Sequence, residues 1–386
     1  VNTFLSLAHK ASQDEYLKFV AEHIAGRAYD IDKGQVASKD VLATFAQAGY
    51  LGITVPATYG GQGGGLLDLT ILAEAVSGHA AGLALALASH YTVVELVLNF
   101  GSDQQKSRYL PLLARGEIIG AQAFAEVNAG SDFRAVTTEA TIAGDGATAS
   151  LTGEKSWVVN GEVAQLLAVL AKTEGVLSLW LVDASASASA SAAATLKVGP
   201  AKAKMGLHAA VINDISFALH KVNLENRLGG PETLDQVEAA LLSALDVSKT
   251  VLAGAALGLA DQALELGAER ARTHEQFGQP ISKFQGIQWK LADLSMDRAA
   301  AQLLTYRAAW SKDGEPAKFH QYSAMAKMFA AKVARYHSSE AVQIFGVLGA
   351  SPEADVERLY RDAKLTEIFE GTSEYQKVII KEELGV

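Results

Sequence analysis

Over the first 116 residues apolar positions recur at spacings of three and four, and this predicts helices. Residues 37–52 carry the pattern and stop at a glycine; 66–76 and 104–113 carry it too. The glycine-rich loop 56–65 lacks the Lys-Ser/Thr that completes a P-loop, so it reads as a connector. From about 117 to 226 the period shortens. Runs at 147–151, 166–171, 177–182 and 215–218 are separated by turns such as Gly144-Asp145-Gly146, which predicts antiparallel strands. The alternating Ala/Ser tract 184–191 has no large side chain to anchor it and predicts a mobile surface loop. Beyond about 232 the helical pattern returns, over 237–272, 283–311 and 315–348. The small residues Ala253-Gly254-Ala255-Ala256 and Gly258 predict close helix approach, inside the chain or between subunits. The expected architecture is mainly α with a central β-domain. It comprises an N-terminal helical domain (1–116), an antiparallel β-barrel-like middle domain (117–228) and a C-terminal four-helix bundle domain (229–386).

Composition narrows the chemistry. The 386 residues are 49% hydrophobic and 20% charged, a globular balance. With no cysteine, disulfides, thiolate catalysis, Cys-ligated zinc and iron–sulfur clusters are excluded, and a reducing compartment fits. A net charge of −10 argues against nucleic-acid binding, although a local basic patch can still hold an anionic cofactor. Residues 1–7 show no basic-then-apolar leader, and the apolar runs 80–88 and 250–260 read as too short, or too near charges, to span a bilayer. The expectation is a cytoplasmic protein without membrane insertion. No nucleophile elbow, His-Glu-x-x-His or dinucleotide fingerprint occurs. The nine histidines are scattered, so no metal is expected, and His90, His208, His220, His320 and His337 read as core or surface polar residues.

Residues 368–376, Ile-Phe-Glu-Gly-Thr-Ser-Glu-Tyr-Gln, carry the most chemistry. Glu370 stands between Phe369 and Gly371, ahead of a helix start where Ser373 to Gln376 fits a capping box. Apolar neighbours desolvate a carboxylate and make it a stronger base. The glycine lets a ligand approach the backbone. A surface glutamate in a turn is the plain alternative.

Further segments decide between the two. They are 101–111 (Gly-Ser-Asp-Gln-Gln-Lys-Ser-Arg-Tyr-Leu-Pro) with Gly116-Glu117, Ala129-Gly130-Ser131-Asp132, and 153–161 (Gly-Glu-Lys-Ser-Trp-Val-Val-Asn-Gly). Lys204-Met205-Gly206, 276–281 (Gln-Phe-Gly-Gln-Pro-Ile), Phe284-Gln285 and the stretch around Glu370 follow. In this order and spacing the chain resembles the acyl-CoA dehydrogenase family over nearly its whole length. The resemblance implies FAD-dependent α,β-dehydrogenation of an acyl-CoA thioester. Glu370 would remove the α-proton, the β-hydrogen would pass to FAD as hydride, and an electron-transfer flavoprotein would reoxidise the flavin. The backbone N–H of Glu370 and a flavin ribityl hydroxyl would hold the thioester oxygen. It further implies a homotetramer, a dimer of dimers, with cofactor sites at subunit interfaces. Cofactor contacts would come from Phe124, Ala125, Ser131, Trp157, Val159, His274, Phe277, Gln285, Gln343, Gly346, Val347, Thr372 and Glu374. Substrate contacts would come from Ser131, Asp246, Lys249, Phe369 and Gly371.

Several positions depart from the family pattern. Ala125 and Val159 replace threonines, His274 and Lys249 replace arginines, and Val347 replaces a glycine. One hydrogen bond lost weakens binding by about 0.5–1.5 kcal/mol, or roughly 1.5–3 where a charge is involved. Three readings therefore stay open: a working dehydrogenase with altered flavin contacts, a flavin-poor paralogous subunit or acyl-CoA-binding partner of an active dehydrogenase, and a flavin monooxygenase of the same fold. A heteromeric partner stays open with them.

Overall fold

The structure, a computed structural model, describes residues 4–185, 195–229, 234–382 and 385. The chain begins with helices α1 (Leu7–His23), α2 (Ala28–Asp32), α3 (Ser38–Gln47), α4 (Leu66–Phe100) and α5 (Asp103–Ala114). Strands follow: β1 (Gly120–Ala123), β2 (Glu139–Ile142), β3 (Thr148–Val159), β4 (Leu166–Thr173), β5 (Val176–Asp183), β6 (Leu196–Val198) and β7 (Ile212–Asn223). Helix α6 (Leu234–Thr273), a two-strand ribbon of β8 (Glu275–Gln276) and β9 (Gln279–Pro280), α7 (Gln285–Gly314), α8 (Pro316–Phe345), α9 (Val356–Thr366) and α10 (Ser373–Glu382) complete it. The predicted order of helices, β-domain and helices holds. The Ala/Ser tract falls almost wholly outside the described residues.

Local signals explain the helix starts. Ser6 and His9 form a reciprocal capping box on α1, as do Ser102 and Gln105 on α5. Asp68 accepts the Gly65 N–H at the start of α4, and Pro316 occupies the first position of α8. The loop 56–65 connects α3 to α4, as expected.

The pattern over 66–76 covers most of the first part of α4, which kinks at Ala80 (φ −154°, ψ +71°). The second part, running to Phe100, is apolar on nearly every side, so no periodicity marks it. Both Leu66–Phe100 and Gln236–Thr273 are long and apolar enough to cross a membrane, which corrects the reading of 80–88 and 250–260 as too short. Of their most apolar windows, 94% and 83% are buried inside the protein. The two lie against each other. A Cβ on Gly258 would stand 2.1 Å from the Glu74 carbonyl, and one on Gly254 2.6 Å from that of Thr70. The small-residue stripe therefore serves an internal contact.

The seven-stranded sheet is mostly antiparallel. Strand β4 pairs with β5 along one edge. On its other edge it meets β1 in parallel at 166–169 and then β2 at Lys172. Residues 124–138 thus leave the sheet where β1 stops, toward the helices. In β3 an extra residue enters the ladder between Lys155 and Val158. At this bulge Trp157 takes φ +60°, and its ring turns outward.

Candidate active site

Between α9 and α10 the chain makes a turn with two consecutive left-handed residues, Glu370 (φ +56°) and Gly371 (φ +84°). Strained backbone costs on the order of 1–3 kcal/mol and persists only where its surroundings hold it. Lys327 Nζ donates to the Gly371 carbonyl at 2.6 Å. Gln376 Nε2 donates to the same oxygen at 3.0 Å and to the Glu370 carbonyl at 3.3 Å. Both side chains are fully buried. The expected capping box is displaced by one residue: Thr372 Oγ1 accepts the Tyr375 N–H at 3.2 Å and caps α10. Gln376 cannot serve Ser373 because it is turned back onto the turn carbonyls. Glu374 is exposed.

The Glu370 carboxylate is enclosed, although the residue as a whole is half-buried. Its Oε1 accepts from Gln122 Nε2 at 2.7 Å. Strand alternation explains this contact: Ala121 and Ala123 point into the β-domain core, so Gln122 faces the helices. Burial pushes the Glu370 carboxyl above its ordinary range. The Ser248 hydroxyl, the Gln122 amide and the ammonium groups of Lys327 and Lys249 oppose that push. Ser248 faces the carboxylate from outside hydrogen-bonding geometry. Burial also drives Lys327 down to about 7, against the pull of Glu370.

Four buried atoms around this point have no hydrogen-bond partner: Gln122 Oε1, Ser248 Oγ, Glu370 Oε2 and Gln376 Oε1. Native interiors rarely leave such groups unpaired. The backbone N–H of Glu370 has no protein acceptor among the described residues.

Aromatic and charged groups frame the carboxylate. Phe369 meets Trp157 edge-on at 6.2 Å, and Lys202 Nζ lies 5.1 Å from the centre of the Trp157 ring. The Trp157 N–H and the Ser156 hydroxyl both donate to Asp214, which fixes the bulge. Ser156 N–H donates to the Ala125 carbonyl, and the buried Lys155 reaches the Phe124 carbonyl at 3.1 Å and Glu126 at 2.8 Å. The 124–126 segment is thereby tied to β3 beside Trp157. Val159 is buried in the core. Asp246 and Lys249 form a buried pair at 2.5 Å, and Asp246 also accepts from Ser323 and contacts His320. Burial raises the Asp246 carboxyl, but Lys249 and His320 outweigh it and hold it below its ordinary value.

A second group of expected contacts lies elsewhere on the surface. The ends of α6 and α8 and the start of α7 join through Ala271, Ile281 and Ile344. Around that joint Phe277 (φ +54°) is 92% exposed and Val347 93% exposed. Gln285, Gln343 and Gly346 are exposed as well, and His274 is half-buried beside Gln276. The Arg270 guanidinium lies over the Phe345 ring. Among the described residues no hydrogen bond, ion pair or ring contact joins this group to Glu370. Ser131 is exposed in the loop after β1.

Sequence reasoning missed Gln122, Ser248, Lys327 and Gln376. Lys327 had a signal, a lysine flanked by Ala324, Ala326, Ala330 and Ala331. So did Gln122, a long polar side chain between two alanines in a strand. Among the histidines, His90 bridges Leu51 and Gly120, His208 contacts Asp32 and Lys204, and His337 contacts Ala260, all as polar core or surface groups. No metal-binding cluster occurs among the described residues.

The chain and its fold are similar to known proteins. Residues 6–117, 121–219 and 239–385 match the N-terminal, middle and C-terminal domains of acyl-CoA dehydrogenases. The chain is 34% identical over 358 residues to an acryloyl-CoA reductase (NADH) of Anaerotignum propionicum, covering 92% of this chain and 89% of that one. The solved butyryl-CoA dehydrogenase of Megasphaera elsdenii superposes with a TM-score of 0.92 at 31% identity, over 99% of each chain. A chain from the solved electron transferring flavoprotein of Acidaminococcus fermentans superposes at 0.91 with 30% identity, over 98% of each. FAD is the cofactor of these dehydrogenases, and a further structural neighbour was solved with it. Its three domains, in order and over nearly all its length, make the chain a member of the acyl-CoA dehydrogenase family.

Proposed function

We propose that the protein is an FAD-dependent acyl-CoA dehydrogenase in which Glu370 removes the α-proton of the thioester. The single observation that carries this is the Glu370 carboxylate, enclosed and held at one oxygen with the other unpaired. Glu370 Oε2 is the atom that takes the proton. The unpaired Glu370 N–H is the donor for the thioester oxygen, where charge develops as the α-carbon–hydrogen bond breaks. Lys327 and Gln376 keep base and donor in one rigid turn.

The residues present fit the cofactor. Trp157 offers an outward ring at 47% exposure next to Phe369, and Phe277 and Val347 project without protein cover. Gly130, Gly278 and Gly346 have open space where a Cβ would stand, so a flat group can approach their backbone. Bound FAD supplies the acceptor for the hydride that leaves the β-carbon. Since the exposed group around Phe277 is remote from Glu370, we assign it to the cofactor of a second subunit. Trp289, Met296, Leu303 and Trp310 form an exposed stripe at seven-residue spacing along α7, which supports a homo-oligomer, in line with the tetramer expected. An electron-transfer flavoprotein is the proposed electron acceptor.

The test is a visible spectrum of the purified protein with added FAD, then with an acyl-CoA. A stoichiometric flavin that bleaches with substrate, and fails to in Glu370→Gln, supports the reading. A chain that takes up FAD only weakly sinks it in favour of the flavin-poor subunit. A second reading runs the same chemistry backwards as an enoyl-CoA reductase. Burial favours the protonated Glu370 carboxyl, which is the α-proton donor in that direction.

A further inference from the structure

We propose that Gln122 is a positioning residue for Glu370: its amide pins carboxylate Oε1 and leaves Oε2 aimed at the α-hydrogen. The inference rests on the reading of Glu370 as the base.

Three observations meet here. The Gln122 Nε2 to Glu370 Oε1 distance of 2.7 Å is that of a charge-assisted hydrogen bond. The Gln122 Oε1 atom is buried without a partner, so no other group dictates which way the amide turns. The Gln122 backbone is itself fixed, because its N–H donates to Ser89 Oγ, which in turn donates to the Val159 carbonyl. The carboxylate is therefore tied through β1 to α4 and β3, while its backbone carbonyl is tied through Gln376 to α10 and that of the next residue, Gly371, through Lys327 to α8. A base restrained from both ends loses little freedom on reaching the α-hydrogen. One oxygen is occupied, so proton transfer is confined to the other.

The groups facing the carboxylate are Gln122 from β1, Ser248 and Lys249 from α6, and Lys327 from α8; Asp246 neutralises Lys249. Gln122 and Ser248 are the neutral ones. Removing the Gln122 donor favours the protonated acid, so Glu370 should ionise at higher pH.

The experiment compares wild type, Gln122→Met and Gln122→Glu. Glu370 is titrated by the infrared carboxyl band that disappears in Glu370→Gln, a readout independent of turnover. The expected midpoint rises by about one unit in Gln122→Met, a tenfold change in ionisation, and further in Gln122→Glu, which adds a like charge. The acid limb of kcat/KM should move by the same amount, with KM little changed. Equal midpoints in wild type and Gln122→Met overturn the positioning role. Should Glu370→Gln retain wild-type turnover, the base assignment fails instead, and the infrared series alone decides whether Gln122 governs the carboxylate. Gln122→Met keeps length and volume, and a thermal melt confirms that it folds.

Discussion

The Glu370 turn and the surface around Phe277 are both expected to meet ligands, yet they are built in opposite ways. The turn is strained, its carboxylate enclosed, and side chains from β1, α8 and α10 hold it while Ser248 and Lys249 of α6 face it. The other surface is a set of exposed side chains resting on a small apolar joint. The first is nearly complete within one chain. The second lacks a wall. Proton abstraction needs a dry, fixed base, which only a protein interior supplies. Holding an extended cofactor needs area and backbone access, which a surface can offer and a neighbouring subunit can finish.

The sharpest break of this contrast is Glu370→Gln. Turnover should fall by about 10²–10⁴-fold, the usual worth of a general base, while the flavin spectrum stays. Phe277→Ser should do the reverse, lowering flavin content and sparing the chemical step of whatever holoenzyme remains. Stopped-flow reduction with an acyl-CoA separates the two.

Lys327→Met probes the strap beneath the turn. Loss of its hydrogen bond to Gly371 should lower kcat by roughly tenfold, equivalent to about 1.4 kcal/mol. It also carries a pH signature. Burial lowers Lys327 from 10.5 to about 7 in the folded protein. Between those values the unfolded chain holds the extra proton, so the stability contributed by this residue rises with pH. Below about 7 both states are protonated, and the penalty of burying the charge is present in full. Urea unfolding at pH 6 and pH 9.5 should therefore show a smaller rise in the variant. An identical rise would mean that Lys327 is not depressed.

Smaller effects are expected on the cofactor side. His274→Arg restores a donor of the family pattern at a half-buried position and should tighten FAD by a few-fold to about tenfold, while Val159→Thr, in the buried core, should change it less. Equilibrium titration of the apoprotein measures it; no change in either would show that backbone groups already make those contacts. Smallest is the cap of α10. Thr372→Ala should cost about 1 kcal/mol and Ser373→Ala close to nothing, read as a difference in thermal midpoint. Equal losses would restore the capping box at Ser373.

The sequence by itself determined the element order and the family, and it singled out Glu370 as the candidate base. Periodicity is local, and the motifs around Ser131, Trp157 and Glu370 survive as contiguous strings. Where patterning lost contrast it stopped being informative: 66–76 marks the part of α4 before its kink at Ala80, while the part beyond it, apolar on nearly every face, carries no period to read. The tertiary structure alone decided which residues surround the Glu370 carboxylate. Gln122 lies 248 positions from Glu370 and Lys327 44 positions from Gly371, yet each reaches its partner through its side chain. Alternation in a four-residue strand turned Gln122 toward the helices. A one-residue bulge turned Trp157 outward. Gln376 turned from its expected capping role onto the turn carbonyls. Each outcome depends on what lies across the interface, and one strand's or one helix's sequence carries no record of its partner.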